Sequence, residues 1–182
     1  MSAVLFSGGL DSAVLLALER RDHDRVCPVH VRAGLAWEDA EARVIERLLG
    51  TAPFAGRVEP LTTLALDMRD VYPPTHWAVL GRPPSYDTPD EDVYLDGRNI
   101  MLAAKAAVWC ARHGVGRLAL GPLAGLHKED VVRLGLELGV PLELTLSCMN
   151  ADGDRQCGRC SKCRERADAF RLAGVEDAAA RR

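Results

Sequence analysis

Apolar positions along the chain follow two spacings. Ala3–Phe6 and Val26–Val31 are short apolar runs of the kind that form strands buried on both faces of a parallel sheet. Between them, Leu10–Arg21 sets Ala13, Leu16 and Ala17 on one helical face, and Trp37–Leu49 does the same with Ala40, Val44, Ile45 and Leu48. Val58–Leu61 is expected as a third strand, Asn99–Arg112 as an alanine-rich helix and Arg117–Leu120 as a fourth strand. Lys128–Leu138 is expected as a helix stopped by Gly139 and Pro141, Leu142–Thr145 as a fifth strand, and Cys163–Leu172 as a last helix. This alternation predicts βαβ units and an α/β fold around a parallel sheet. Tyr72–Asp92 is rich in proline and is expected to be an ordered loop over one end of the sheet. Ser147–Arg159 is short and polar, and opens a C-terminal segment, 147–173, that carries four cysteines.

Composition narrows the class. The chain has 182 residues, 48% hydrophobic and 27% charged, with a formal net charge of −3. One domain spanning 1–182 is expected, and neither a disordered chain nor a nucleic-acid binder acting through bulk charge fits. No apolar run reaches membrane-spanning length, and the start, MSAVLFSGGLDS, lacks the basic flank of a signal peptide. The expected compartment is the cytosol, where thiols stay reduced, so six cysteines call for a reason other than disulfides.

The first concentrated chemistry is Ser7-Gly8-Gly9-Leu10-Asp11-Ser12, set between the first strand and the first helix. Two glycines let the backbone turn tightly and approach a ligand, and the amides that follow have no intrahelical partner. Such a helix start suits a phosphate or pyrophosphate, with the Ser7 and Ser12 hydroxyls adding hydrogen bonds. Asp11 is out of place beside an anion unless a cation intervenes, and Mg²⁺ held by a carboxylate and phosphates would account for it. The plainer alternative is a Gly-Gly turn with a capped helix. No Gly-Lys-Ser/Thr follows, so this is not a Walker A loop.

Cys148, Cys157, Cys160 and Cys163 form C-x8-C-x2-C-x2-C. Four thiolates suit tetrahedral Zn²⁺, whereas C-x2-C-x2-C also occurs around iron–sulfur clusters, so both stand. Arg155, Arg159, Lys162, Arg164 and Arg166 lie nearby in sequence, where their charge would offset that of a tetrathiolate site. Cys27 and Cys110 fall within a strand and a helix and are expected as core residues.

SGGLDS resembles the PP-loop of the ATP pyrophosphatase superfamily, whose members cleave ATP between the α- and β-phosphates and adenylate a substrate oxygen. That resemblance implies a doubly wound, five-stranded parallel sheet with ATP across its carboxyl ends. The wider pattern is similar to the 7-cyano-7-deazaguanine synthase (QueC-type) family. It rests on Leu95-Asp-Gly-Arg-Asn99, on Lys128–Gly135 with Leu138–Cys148, and on Cys157-Gly-Arg-Cys-Ser-Lys-Cys-Arg-Glu-Arg166. The resemblance implies adenylation of the carboxylate of 7-carboxy-7-deazaguanine, displacement of AMP by ammonia, and a second activation that yields the nitrile. It places ATP on Ser7, Gly8, Gly9, Leu10, Asp11 and Ser12, with Arg98 and Gly121 lining the nucleotide site and Asp11, Ser12 and Lys128 doing the chemistry. For Arg98 and Lys128 a solvated helix start is the alternative. It further implies a structural Zn²⁺ on the four cysteines and a homodimer.

Three features depart from the family. Val31–Glu38 replaces the usual Tyr-Gly-Gln-Arg-His segment, and its Trp37 suits either stacking on a base or the core. Only Pro122–His127 separates Gly121 from Lys128, where the family carries an insert of a few tens of residues that contributes to the base pocket. The proline-rich loop offers His76, Trp77, Tyr86 and the acids of Asp87–Asp92 as possible pocket groups. These departures leave open an adenylating enzyme with another acceptor, on a protein or a tRNA base, and a zinc-stabilised nucleotide-binding module without catalysis.

Overall fold

The computed structural model describes the chain apart from Pro122, Ala124 and Arg182, so part of the short connection before Lys128 lies outside the described residues. The elements run β1 (Ser2–Leu5), α1 (Leu10–Asp22), β2 (Val26–Arg32), α2 (Glu38–Leu49), β3 (Thr62–Ala65), α3 (Trp77–Leu80), α4 (Arg98–Arg112), β4 (Arg117–Ala119), α5 (Lys128–Glu137) and α6 (Ser161–Ala173). The sheet is parallel, in the order β3-β2-β1-β4, with Ser2 paired to Val26 on one side and to Arg117 on the other. Strand order therefore changes direction at β1. Right-handed crossovers then put α1 and α2 on one face and α4 on the other, and a ligand crevice is expected where the carboxyl ends of β1 and β4 diverge. The core is the set of fully buried side chains on both faces, among them Val4, Phe6, Leu16, Val29, Ile45 and Leu48.

Among the described residues the sheet has four strands, not five. Leu142–Leu144 is a 3-10 turn instead of the expected Leu142–Thr145 strand. Pro141 starts it and accepts from Leu144 N–H at 2.9 Å, so the turn closes on itself. The Leu142 carbonyl and the Thr145 hydroxyl then accept from the buried Arg166 guanidinium, at 2.9 and 2.7 Å. Backbone groups that a strand would offer to a neighbour are thus taken by one side chain of α6. The third strand is displaced as well. The expected Val58–Leu61 run is not a strand, because Pro60 can donate nothing to a ladder, and pairing with β2 begins only at Thr62.

Gly135 explains how α5 reaches the layer beneath it. A Cβ there would lie 2.8 Å from both Val14 of α1 and Leu142, so the absence of a side chain permits the close approach of α5 to α1. α5 packs in turn on α6, which carries the cysteines. The proline-rich stretch is ordered over the sheet end, as expected. It holds α3, and it is tied down by Tyr72 Oη donating to the Asp96 carbonyl at 2.7 Å and by Ala36 N–H donating to Ala78. No helix among the described residues is long and apolar enough to cross a membrane.

Candidate functional site

The chain leaves β1 at Leu5 and turns through Ser7-Gly8-Gly9 into α1. Gly8 has φ +74°, and a Cβ on it would stand 3.0 Å from Val44 and 3.2 Å from Ile45, so both conformation and packing require glycine. Its carbonyl accepts from Leu146 N–H at 3.0 Å, which fastens the loop to the segment leading to the cysteines. The first intrahelical bond of α1 is Ala13 N–H to the Gly9 carbonyl, so the Leu10, Asp11 and Ser12 amides precede it and face the strand ends. Ser12 Oγ donates to the Gly9 carbonyl at 3.0 Å and Ser7 Oγ accepts from Gly9 N–H at 3.4 Å, so both hydroxyls hold the loop in shape.

A cleft of about 520 Å³ opens above this turn. Of the residues singled out from the sequence, Ser7, Gly9, Leu10, Asp11, Ser12, Arg98, Gly121 and Lys128 line it, and so does Cys148. Gly8 does not line it, being turned toward α2. Lys128, first residue of α5, donates to Asp11 Oδ2 at 2.6 Å and reaches Glu165 of α6 at 3.1 Å, and Glu165 pairs in turn with Lys162 at 2.7 Å. Burial acts against the Lys128 charge, but Asp11 and Glu165 outweigh it and raise its pKa. Burial acts against the Glu165 charge too, and the two lysines outweigh it and lower that carboxyl. Asp11 Oδ1 is buried with no partner among the described residues. A carboxylate with one oxygen committed to a lysine and the other free beside a phosphate-type loop fits a divalent cation.

The cysteine sulfurs Cys148, Cys157, Cys160 and Cys163 all lie within 4.8 Å of one another, with 3.5 Å between Cys160 and Cys163 and 3.9 Å between Cys157 and Cys163. A tetrahedral ion about 2.3 Å from each sulfur requires edges of about 3.8 Å. A cluster with sulfides between several irons would hold the thiolates further apart, so the spacing suits a single ion. Asn150 and Cys157 N–H groups donate to Cys148 Sγ at 3.3 and 3.2 Å, and Arg159 N–H donates to Cys157 Sγ at 3.3 Å, so backbone amides fix the positions of two of the sulfurs. Three side chains of the nearby basic cluster also have partners elsewhere. Arg166 is buried against Asp177 at 2.6 Å, Arg164 donates to the Thr88 carbonyl, and Lys162 joins Glu165. Cys27 and Cys110 are buried core residues, as expected.

Two cleft residues, Glu41 and His30, escaped the sequence reading, whereas Trp37 and Trp77 were among its possible pocket groups. Glu41 stands on the inward face of α2, one turn before Val44 and Ile45, and an acid within an apolar stripe was the available signal. Burial pushes its carboxyl up to about 7, with the Arg98 guanidinium acting the other way. His30 breaks the buried run of β2 and lies beside the turn, its Nδ1 3.0 Å from the Phe6 carbonyl. Trp37 and Trp77 stack at 5.8 Å and 16° and form a wall of the cleft. Trp37 is placed there by Glu38, whose carboxylate accepts from the Ala33 and Gly34 amides and turns the chain after β2. His76 stays outside the cleft lining. Its Nδ1 caps α3 by accepting from Ala78 N–H, and its ring stacks on Tyr72.

Comparison with known proteins identifies the family. The model of the family described as queuosine biosynthesis protein QueC matches residues 1–122 and 118–174, two pieces that meet at the short connection before Lys128. A 7-cyano-7-deazaguanine synthase of Pseudomonas fluorescens is 48% identical over 77 residues, covering 42% of this chain and only 33% of the relative. Proteins of the same name from Persephonella marina and Xanthomonas campestris are each 29% identical, over 218 and 221 positions, and the matches cover 96% and 97% of this chain and 93% and 95% of the relatives. An alignment of 218 positions on 182 residues leaves at least 36 positions of the Persephonella relative facing no residue here. With a matching family model over nearly the whole length, an α/β parallel sheet and a four-cysteine cluster in the expected place, the chain belongs to the QueC family.

Proposed function

We propose that this protein is an ATP-dependent carbon–nitrogen ligase that adenylates the carboxylate of 7-carboxy-7-deazaguanine and uses ammonia to form 7-cyano-7-deazaguanine, releasing AMP and pyrophosphate. The observation that carries this reading is the Ser7–Ser12 turn opening into the cleft with Asp11 Oδ1 buried and unpartnered beside Lys128. The Leu10–Ser12 amides and the Ser7 and Ser12 hydroxyls hold the pyrophosphate end of ATP. Asp11 binds the accompanying Mg²⁺, which neutralises phosphate charge. Lys128 stabilises charge that grows on the α-phosphate as the acyl-adenylate forms, and Arg98 and Gly121 flank the nucleotide. No covalent enzyme nucleophile is needed, and catalysis is positioning plus electrostatics. The four cysteines hold a structural Zn²⁺ that ties the start of α6, and with it Glu165, to the cleft. In the same reading the enzyme works in the cytosol as a homodimer.

The short link between Gly121 and Lys128, and the unmatched positions of the relatives, favour a second reading in which the adenylated acid or the amine acceptor differs, as in conjugation to a protein or modification of a tRNA base. One incubation separates the two: protein, ATP, Mg²⁺, ammonium and 7-carboxy-7-deazaguanine, with AMP, pyrophosphate and product mass measured. A nitrile product supports the ligase. AMP release that requires another acceptor supports the second reading, and ATP binding without AMP under any acceptor leaves a nucleotide-binding module. Asp11→Ala is expected to lower AMP formation about 100-fold or more with little change in melting temperature. Retained turnover would remove Asp11 from the mechanism.

A further inference from the structure

Five buried side-chain atoms lack a hydrogen-bond partner among the described residues, and three of them belong to residues that line the cleft above the Ser7–Ser12 turn: Asp11 Oδ1, His30 Nε2 and Arg98 Nε. Unpartnered buried polar atoms are rare in folded proteins, so their convergence on one cavity points to a ligand. Asp11 belongs to the phosphate end described above. The other two lie with Glu41 near the end of β2.

His30 is 3% exposed. The 3.0 Å contact of Nδ1 with the Phe6 carbonyl assigns the ring proton to Nδ1, which leaves Nε2 as a lone-pair acceptor. Glu41, from α2, offers a second acceptor on the same cleft. Arg98, from α4, is near enough to influence both groups but makes no ion pair with Glu41. The cleft thus presents two acceptors from β2 and α2 and a guanidinium from α4, all three lining the same cavity. A guanidinium suits an oxyanion such as a substrate carboxylate. His30 Nε2 has no donor among the described residues, and the Glu41 carboxyl, which takes the Trp37 indole N–H, keeps further lone pairs, so together they suit a small group that has only N–H bonds to give.

Resting on the ligase reading, we propose that His30 and Glu41 form the seat of the nitrogen nucleophile, binding ammonium and releasing it as ammonia beside the acyl-adenylate held toward Arg98. The Glu41 carboxylate takes one proton from NH₄⁺. The freed nitrogen pair forms the C–N bond at the acyl carbon, and the C–O bond to AMP breaks with its electron pair going to the departing phosphate. The second surplus proton of the new amide passes to that phosphate. His30 Nε2 accepts a hydrogen bond from the nitrogen throughout and keeps no proton. Burial favours this division of labour. It keeps His30 neutral and brings the Glu41 carboxyl up to about 7, where it both takes and releases a proton. The charged groups that face Glu41 are Arg98 from α4, which lowers that value, and Glu38 of its own helix, which raises it.

Three assays on the full chain test the site: exchange of labelled pyrophosphate into ATP with the acid but without ammonia, product formation with ammonium chloride, and hydroxamate formation with hydroxylamine. Hydroxylamine is uncharged at neutral pH and needs no base to free its lone pair. In Glu41→Gln and His30→Phe, ammonium-dependent turnover is expected to fall about 100-fold, while exchange and hydroxamate formation persist. Glu41→Asp, with the carboxyl withdrawn by one methylene, should fall between. In infrared spectra the carboxylic-acid stretch of Glu41, identified by its loss in Glu41→Gln, should diminish when ammonium replaces tetramethylammonium. Unchanged use of ammonium by Glu41→Gln overturns the proposal. So does loss of exchange in step with loss of product, which would assign these residues to the deazaguanine edge or the nucleotide. Absence of exchange in the unmodified protein defeats the ligase reading itself, and this site with it.

Discussion

Single side chains decide the character of the cleft. Asp11 was conspicuous in the sequence because an acid beside an anion-binding turn needs a cation, and the structure supplies Lys128 at 2.6 Å while leaving one oxygen free. Glu41 is the opposite case, an acid with no motif around it, placed by helical phase alone. Its carboxyl rises from 4.5 to about 7 on folding, so the native state binds the proton more tightly than the unfolded chain. A raised carboxyl pKa contributes stability at low pH that is lost as pH climbs from the unfolded value through the native one. Glu41→Gln removes that dependence. The variant should be more stable than the parent at pH 8, by up to about 3 kcal/mol, with the difference falling below about 1 kcal/mol near pH 5. Thermal melts of the two proteins across that range check it, and a constant difference would show that Glu41 is not the titrating group.

Among the elements, α6 binds the C-terminal segment to the rest of the fold in two ways. Arg166 fixes the Leu142–Thr145 turn and pairs with Asp177, both partners being almost wholly buried. Arg166→Leu leaves the Asp177 carboxylate buried and uncompensated and should cost about 3 kcal/mol or more, read from denaturant unfolding. One turn earlier the cysteines set the start of the same helix. A strong zinc chelator, or Cys160→Ser, should release one equivalent of zinc and lower the melting temperature by roughly 10 °C, since metal binding at such a site is folding energy. Melting that ignores the chelator would separate the thiols from stability. Element boundaries were legible where periodicity was unopposed, as in α1, α2 and α4. Strand assignment failed at Val58–Leu61 and at Leu142–Thr145, where a proline denied the ladder its donor and a distant arginine captured the carbonyls.

At the scale of the whole molecule, α4 carries an apolar face with no cover. Ile100, Met101 and Val108 are 72%, 43% and 65% exposed, on a helix whose opposite side packs on β1, β2 and β4. Such a face supports pairing with a second copy. Light scattering should report a dimer for the parent protein and a monomer for Val108→Glu; a monomeric parent would dismiss the homodimer. The short passage from β4 to α5 is also a property of the whole. It brings Lys128 to Asp11 with few intervening residues, and the cleft is instead walled by Trp37 and Trp77.

What the sequence alone determined is whatever depends on neighbours along the chain. Helical phase, the glycine turn after the first strand and the four-cysteine spacing are local patterns, and local sterics and ligand geometry suffice to interpret them. Only the tertiary structure decided the strand count, the Lys128–Glu165 link across α5 and α6, and the gathering of His30, Glu41 and Arg98. These residues lie far apart in sequence, on separate elements, and no spacing rule ties them together. Their meeting follows from the strand order at β1, which brings the ends of β2, α2 and α4 to one crevice.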